Sequence, residues 1–408
     1  MDSSLTDNTY IVRPIPIVKP FANSKKFIRL VQLLEKQYQS VTDVTGTIPF
    51  ALRTKDGPMQ VFGGDKPVFS IILNNDQAVA ALSTLDQNSI VDAYLAGHID
   101  LEGDIMHVLA LRELFNDNRG MQFLWRFIRP FLFGQVKSDK KWIASHYDTD
   151  AAFFLLFLDT RHRAYSQAVF ANDNESLEDA ETETRKLNFA IDSVKAKPGN
   201  HILDIGSGWG AMVEHAGKKG IRVTSLTISQ RSQEYVQKII DDQKLPCNVL
   251  LEHFMEHNPG EKYDAIVNCG VTEHLPNYAS SLKHYEKLLK PGGYLYLDAS
   301  ADKVKNAHGS FMGRYVFEGN ASLLCLHEYL AEVAKSLFQL TGVWDDRHNY
   351  YLTTKAWAQK LDNSREEIEQ RWGKQLYRIF QLYLWGSAEG FHSEMIDAYR
   401  VVLRLPAK

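Results

Sequence analysis

Hydrophobic and polar positions follow two regimes along the chain. After a polar, proline-punctuated stretch over residues 1–25 that reads as a flexible lead-in, Lys26 to Gln39 shows helical spacing, with Phe27, Leu30, Val31 and Leu34 on one side. "PFALRTKDGPMQVFGG" alternates about Asp56-Gly57 and predicts a hairpin, and "PVFSIILN" predicts a further strand. "SIVDAYLAGHIDLEGDIMHVLAL" reads as helix, turn and helix. Together these predict a small N-terminal α+β domain over 26–120. Residues 121–144, opening on "MQFLWRFIRPFLF" and carrying the basic "KSDKKW", predict a junction helix. Its first reading is core-facing; its second is an element at a membrane surface, because aromatic and basic residues together suit a lipid interface.

From residue 145 short apolar runs alternate with helical stretches. "HILDIG", "RVTSLTIS", "CNVLLEHF", "YDAIVNCG" and "GYLYLDAS" predict five strands, with helices such as "RSQEYVQKIIDDQ" and "YASSLKHYEKLLK" between them. That rhythm predicts an α/β, Rossmann-like fold with a mostly parallel sheet and helices on both faces. "LLKPGGYLYL" predicts a helix stopped by Pro291 and Gly292-Gly293 before the next strand. Beyond Asp298 the rhythm is lost: an insertion around 303–345 reads as a lid over a site, and Asn363 to Ala398 reads as a helical C-terminal segment.

The 408 residues, 44% hydrophobic and 24% charged, are too many for one typical domain, in agreement with the break near 120–145. A net charge of -4 leaves no basic footprint and argues against nucleic acid as a partner. Three cysteines, Cys247, Cys269 and Cys325, are odd in number and lack metal-ligand spacing, so neither a disulfide framework nor a metal site is expected, and the compartment reads as reducing. No basic segment followed by an apolar core opens the chain, and no apolar run reaches about eighteen residues, so a soluble cytoplasmic protein is expected.

In a doubly wound sheet the ligand crevice lies at the carboxyl ends of the strands, so the residues just after each strand carry the chemistry. After the first, Gly206-Ser207-Gly208-Trp209-Gly210 precedes a helix that starts near Ala211: glycines there admit a ligand close to the backbone, and the helix N-terminus offers N–H groups to something polar or anionic. Alone, such a turn also fits tight packing. After the second, Leu226-Thr227-Ile228-Ser229-Gln230 lacks the acid that a nicotinamide ribose requires, which argues against a dehydrogenase. After the third, Phe254-Met255 is apolar enough to sandwich a purine. After the fourth, "NCGVTEHLPNY" sets Glu273 and His274 beside the glycine loop, to position or deprotonate a substrate or to cap the next helix.

The sequence resembles the cyclopropane-fatty-acyl-phospholipid synthases and their relatives, the mycolic acid methyltransferases and coclaurine-type N-methyltransferases. The resemblance rests on "HYDTDAAFFLLFLDTRHRAYS" (146–166), "LDIGSGWG" (203–210), "LTIS" (226–229), "TEHLPNY" (272–278), "LLKPGGYLYL" (288–297) and "HNYYLTTKAW" (348–357), in order and at family-like spacing. More weakly, "SIVDAYLAGHIDLEGD" resembles the N-terminal lipid-binding domain of bacterial cyclopropane synthases. The resemblance implies a methyltransferase domain over 145–408 with S-adenosylmethionine as cofactor. Gly206, Gly208 and Gly210 then take the close approach, Tyr165 and Ser166 match N-terminal cofactor contacts, Thr227 and Ile228 lie along the ribose, and Phe254 lies near the adenine. The sulfonium methyl is already electrophilic, so what remains for the protein is to align the nucleophile and exclude water.

Cyclopropane synthases further imply a bicarbonate that takes the proton at ring closure, held by a cysteine after the Tyr-Ser pair, the motif glutamate, a histidine ending the fifth strand and a C-terminal tyrosine. Glu273 and Tyr350 match, but Gln167 and Asp298 stand at the cysteine and histidine positions, and the added carboxylate disfavours an anion. The expected reaction is therefore C-methylation of an alkene in a lipid or other long apolar substrate, with Glu273 stabilising a carbocation, Tyr350 shielding it, and Glu273 or Asp298 taking a proton. Contact with a membrane surface is expected of such an enzyme, and a homodimer is left open. Two other readings stand beside this one: N-methylation of a small amine handled by Glu273 and His274, and a non-catalytic lipid-binding homologue.

Overall fold

Phe27, Leu30, Leu34 and Tyr38 form the buried stripe of a helix over Ser24–Thr45, with Val31 half-buried beside them. The structure, a computed structural model, describes residues 24–45, 48–55, 57–64, 66–117, 150–305, 309–316 and 322–407. The lead-in and the segment expected to form a junction helix lie outside the described residues. The chain divides into two compact units, residues 1–116 and 117–408.

In the first unit β1 (Phe50–Thr54) and β2 (Met59–Phe62) form the expected antiparallel hairpin, β3 (Phe69–Leu73) runs parallel to β1, and β4 (Ile99–Gly103) pairs antiparallel with β3. The sheet order is β2-β1-β3-β4, with Phe50 stacked on Phe62 and on Phe69 at 4.6 and 5.4 Å between ring centroids. The expected helix, turn and helix over 89–111 is corrected here: β4 lies between helices Gln87–Leu95 and Ile105–Ala110. Gly97 and Gly103, at φ 79° and 94°, reverse the chain at either side of β4, and Ile99 is buried opposite Leu73.

The second unit carries a seven-stranded sheet in the order β10-β11-β9-β8-β5-β6-β7. The five expected strands are β5 (His201–Ile205), β6 (Arg222–Thr227), β7 (Cys247–Leu251), β8 (Tyr263–Cys269) and β9 (Leu289–Ala301), all mutually parallel. Two further strands were not expected: β10 (Gln339–Asp345), inside the stretch read as a lid, and β11 (Asp397–Arg404), whose Ala398 was read as helical. They extend the sheet antiparallel, β11 lying between β10 and β9. Pro291 and Gly292-Gly293 do not separate helix from strand. The helix Tyr278–Leu288 runs directly into β9, and the Pro-Gly-Gly sits at a register irregularity against β8, with Gly292 at φ 83°.

Helices Arg347–Asn363, Arg365–Trp372 and Lys374–His392 make up the C-terminal helical segment. Against them pack the helix Ala151–Leu155 and the turn after it. Phe153, Phe154 and Phe157 are fully buried, Phe153 lying 4.6 Å from Phe380 and 5.6 Å from Trp372. Among the described residues no helix is long and apolar enough to cross a membrane.

Candidate cofactor and active site

β5 ends in a loop whose three glycines all have positive φ, 88° at Gly206, 50° at Gly208 and 89° at Gly210. Each is glycine for a different reason. A Cβ on Gly206 would stand 2.3 Å from Val271 Cγ2, and one on Gly210 would stand 3.1 Å from Ile239 Cδ1, whereas one on Gly208 would meet no protein atom within 4 Å. The space beside Gly208 is the cleft itself. The loop is pinned by Gly206 and Ser207 N–H groups donating to Leu226 O at 2.9 and 3.0 Å, and by the Ser232 hydroxyl donating to Gly208 O at 2.6 Å. Beneath it the Ser225 hydroxyl lies 2.6 Å from Asp204 Oδ2 and 2.8 Å from Ser207 Oγ, and burial pushes Asp204 up to about 7.

The cleft holds about 1110 Å³ of empty space, its open mouth included, and brings together Tyr165, Ser166, Gly206, Gly208, Thr227, Ile228, Phe254 and His274. Gly210 does not line it and instead begins the helix Ala211–Lys218. The Tyr165 ring is set by Phe154 and Trp357, at 5.4 and 5.5 Å; Phe254 is set by His284 and Tyr285, at 4.8 and 4.7 Å. Burial lowers His274 to about 4, which leaves it neutral at physiological pH. Lys186, buried in the cleft wall, donates to Ser166 Oγ at 3.0 Å. Nothing in its helical pattern marked it, because a lysine on an amphipathic helix normally reads as solvated.

Glu273 adjoins His274 in the chain but does not line the cleft. Its Oε1 accepts from the Ser300 N–H at 2.8 Å, and its buried Oε2 has no hydrogen-bond partner. Burial first, and the neighbouring Asp298 charge as well, raise Glu273 to about 7. Asp298 is fully buried on β9, where the Tyr296 hydroxyl donates to its Oδ2 at 3.1 Å. Burial lifts it to about 6 while the Lys186 ammonium pulls the other way. Tyr350, stacked on Phe391 at 5.0 Å, sits within the fields of Asp298, Glu273 and Asp346, and burial raises its hydroxyl far above the usual range.

Gln167 is fully buried as well, and its Nε2 donates to Asp346 Oδ2. Its Oε1 is buried without a hydrogen-bond partner. Asp346 also accepts from Asn349 Nδ2 at 2.7 Å and pairs with Arg400 at 3.1 Å. Three of the expected site residues, Gln167, Asp298 and Tyr350, therefore gather around Asp346, with Glu273 next to Asp298; Asp346 is a residue that sequence reasoning passed over although it directly precedes a helical run. Elsewhere, Cys325, His327 and Glu328 bring ligand atoms within 4.8 Å of one another, but the Lys305 ammonium lies 3.6 Å from Glu328 and already supplies a cation there.

The family model for mycolic acid cyclopropane synthetase matches residues 135–401. The chain belongs to this family. One relative, a protein of Mycobacterium tuberculosis named a probable fatty acid methyltransferase, is 26% identical over 284 residues, covering 68% of this chain and 66% of that one, so the chain spans just under two thirds of its length. The cyclopropane mycolic acid synthase MmaA2 of the same organism is 29% identical over 282 residues, covering 64% of this chain and 96% of that one. The solved MmaA2 structure matches with a TM-score of 0.60 at 27% identity, over 65% of this chain and 98% of that one. The mycolic acid cyclopropane synthase CmaA1, solved with SAH and CTAB, shares the fold at a TM-score of 0.60 and 24% identity, over 65% of this chain and 98% of that one. The larger unit is thus an S-adenosylmethionine-dependent methyltransferase domain, and S-adenosylmethionine is its cofactor. The residues present fit that molecule: a cradle open at Gly208, hydroxyls at Ser166 and Thr227, and a held aromatic ring at Phe254.

Proposed function

We propose that the protein transfers a methyl or methylene group from S-adenosylmethionine to an alkene in a fatty acyl chain, a phospholipid or another long apolar substrate, and that it does so without the bicarbonate site its relatives imply. The observation that carries this reading is the buried carboxylate of Glu273, one oxygen unpartnered, beside the Tyr350 and Asp298 cluster behind the cofactor cleft. The cofactor supplies an electrophilic methyl carbon. Transfer of that carbon to the alkene's π electrons would leave positive charge on the substrate carbon chain. Glu273 stabilises that charge, the Tyr350 ring shields it from water, and Glu273 or Asp298 accepts the proton that is lost. The relatives' names, which speak of fatty acids and mycolic acids, support the lipid class. In the same reading the first unit binds lipid, and contact with a membrane surface is transient.

Cells expressing the protein and fed methionine carrying a CD₃ group test this directly. Their lipids should gain one CH₂ unit: two label atoms mean a ring or methylene product, and three mean an intact methyl. Absence of label from every lipid, in cells holding folded protein that binds the cofactor, would sink the proposal.

Bicarbonate gives a second expected result. Asp298 and Asp346 place two buried carboxyl groups about the position, and the Gln167 amide is already donated, so a small anion is repelled and finds one donor fewer. Turnover should be the same in degassed buffer and in millimolar bicarbonate. Strong stimulation would show that an anion site survives with other ligands.

A further inference from the structure

We infer that Arg400 is a positioning residue for this reaction: from β11 it neutralises the buried Asp346, faces Asp298, and thereby keeps an ionised carboxylate next to Glu273 while seating the helix that carries Tyr350. The inference rests on the reading of Glu273 and Asp298 as the carboxylates that handle charge and proton.

The register of β11 on β9 sets Arg400 directly opposite Asp298. Opposed residues in an antiparallel pair project to the same face, with Cβ atoms about 5 Å apart. Arg400 Nη2 lies 3.1 Å from Asp346 Oδ1, and the guanidinium lies 4.4 Å from the Phe189 ring, an aromatic floor that fixes its plane. The Arg400 side chain is 10% exposed and that of Asp346 0%, so the pair is screened little by water.

The same contacts fix the helix. Asp346 directly precedes Arg347–Asn363, its N–H donates to Ala398 O at 2.9 Å, and its carbonyl accepts from the Tyr350 N–H at 3.1 Å. One guanidinium therefore ties β11 to the first turn beneath Tyr350.

Without Arg400, one cation is left among the charges around Asp298. Facing it are Lys186 from helix Arg185–Ser193, Cys269 from β8, Tyr296 from its own strand, Arg400 from β11, Asp346 and Tyr350 at the start of the next helix, and Glu273 from its turn. Three of these groups, counting Asp298, are carboxyls, and the cations are Arg400 and Lys186. Lys186 is shared with Glu181, 4.0 Å away. A buried carboxylate that loses its cation takes up a proton instead. A protonated Asp298 or Glu273 accepts no further proton.

The test is the pH dependence of kcat/KM. Removing the charge with Arg400→Gln should move the acidic limb to higher pH by about one unit or more, the usual effect of an opposite charge at this range. Adding Asp346→Asn to Arg400→Gln removes the acid that the guanidinium served and should return the limb toward that of the unmodified protein. Arg400→Lys keeps the charge without the planar fork, and should lower kcat while leaving the limb in place. A uniform loss at every pH, with no recovery in the double variant, would make Arg400 merely structural and overturn the inference.

Should Arg400→Gln fail to fold, Asp346→Asn alone serves. It frees the guanidinium for Asp298, so the limb should move to lower pH, and an unmoved limb counts against the inference. If the unmodified protein methylates no lipid, the function reading fails by itself. The charge relation is then read by infrared titration of protonated carboxyl groups in the cofactor-bound protein, where Arg400→Gln should hold that band to higher pH; superimposable titrations would overturn it.

Discussion

Gly208→Val should abolish S-adenosylmethionine binding and leave the fold standing. An added side chain at Gly208 meets no protein atom within 4 Å, so what the valine fills is the cleft. The backbone at φ 50° makes any side chain there strained, at about 1–2 kcal/mol, against about 5–15 kcal/mol for the stability of a typical domain. Loss of binding with thermal unfolding lowered by only a few degrees separates blockage of the cleft from collapse of the loop. The neighbouring glycines cannot serve, because Gly206→Ala drives its Cβ into Val271 and Gly210→Ala crowds Ile239. Calorimetric titration reads the result, and micromolar binding retained by Gly208→Val would count heavily against this loop as the cofactor seat.

Glu273→Gln should lower turnover about 100-fold or more while changing cofactor affinity little. The amide keeps the size and can still accept from the Ser300 N–H, so the local structure holds and the change is one of charge. Affinity is spared because His274, not Glu273, faces the cleft. The pH profile carries a second signature: with Glu273 near 7, its ionised fraction rises as pH is raised through that value, and so should the rate. In Glu273→Gln that dependence should flatten to what Asp298 contributes. Equal losses in affinity and turnover would make Glu273 a cofactor ligand instead.

How far the site could be read from sequence follows from where its parts sit. Strand ends in a parallel sheet are marked by apolar runs bounded by glycine, and so the sequence points to Gly206, Gly208, Thr227, Phe254 and His274, which line one cleft. β4, β10 and β11 escape the sequence reading because each lies beside helical patterns, so its period of two is averaged away. Arg400 and Lys186 were missed for another reason: a charged side chain carries no local sign that it is buried, and only the pairing of β11 with β9 and the packing of helix Arg185–Ser193 disclose their partners. Gln167 and Asp298 were noticed as departures from a resemblance, but what they touch depends on Asp346, far away in the chain.

The strand order β10-β11-β9 bears on how the chain reaches its native state during synthesis. β11 follows every other strand in the chain yet lies inside the sheet, so β10, although made earlier, has no strand to pair with until β11 has left the ribosome. Completion of the sheet, and with it the seating of Arg400, Asp346 and Tyr350, therefore waits for Asp397–Arg404. A nascent chain arrested before residue 397 should hold the glycine loop but not the assembled cluster of Asp298, Asp346 and Arg400, and a stop codon there removes two strands from the sheet rather than one.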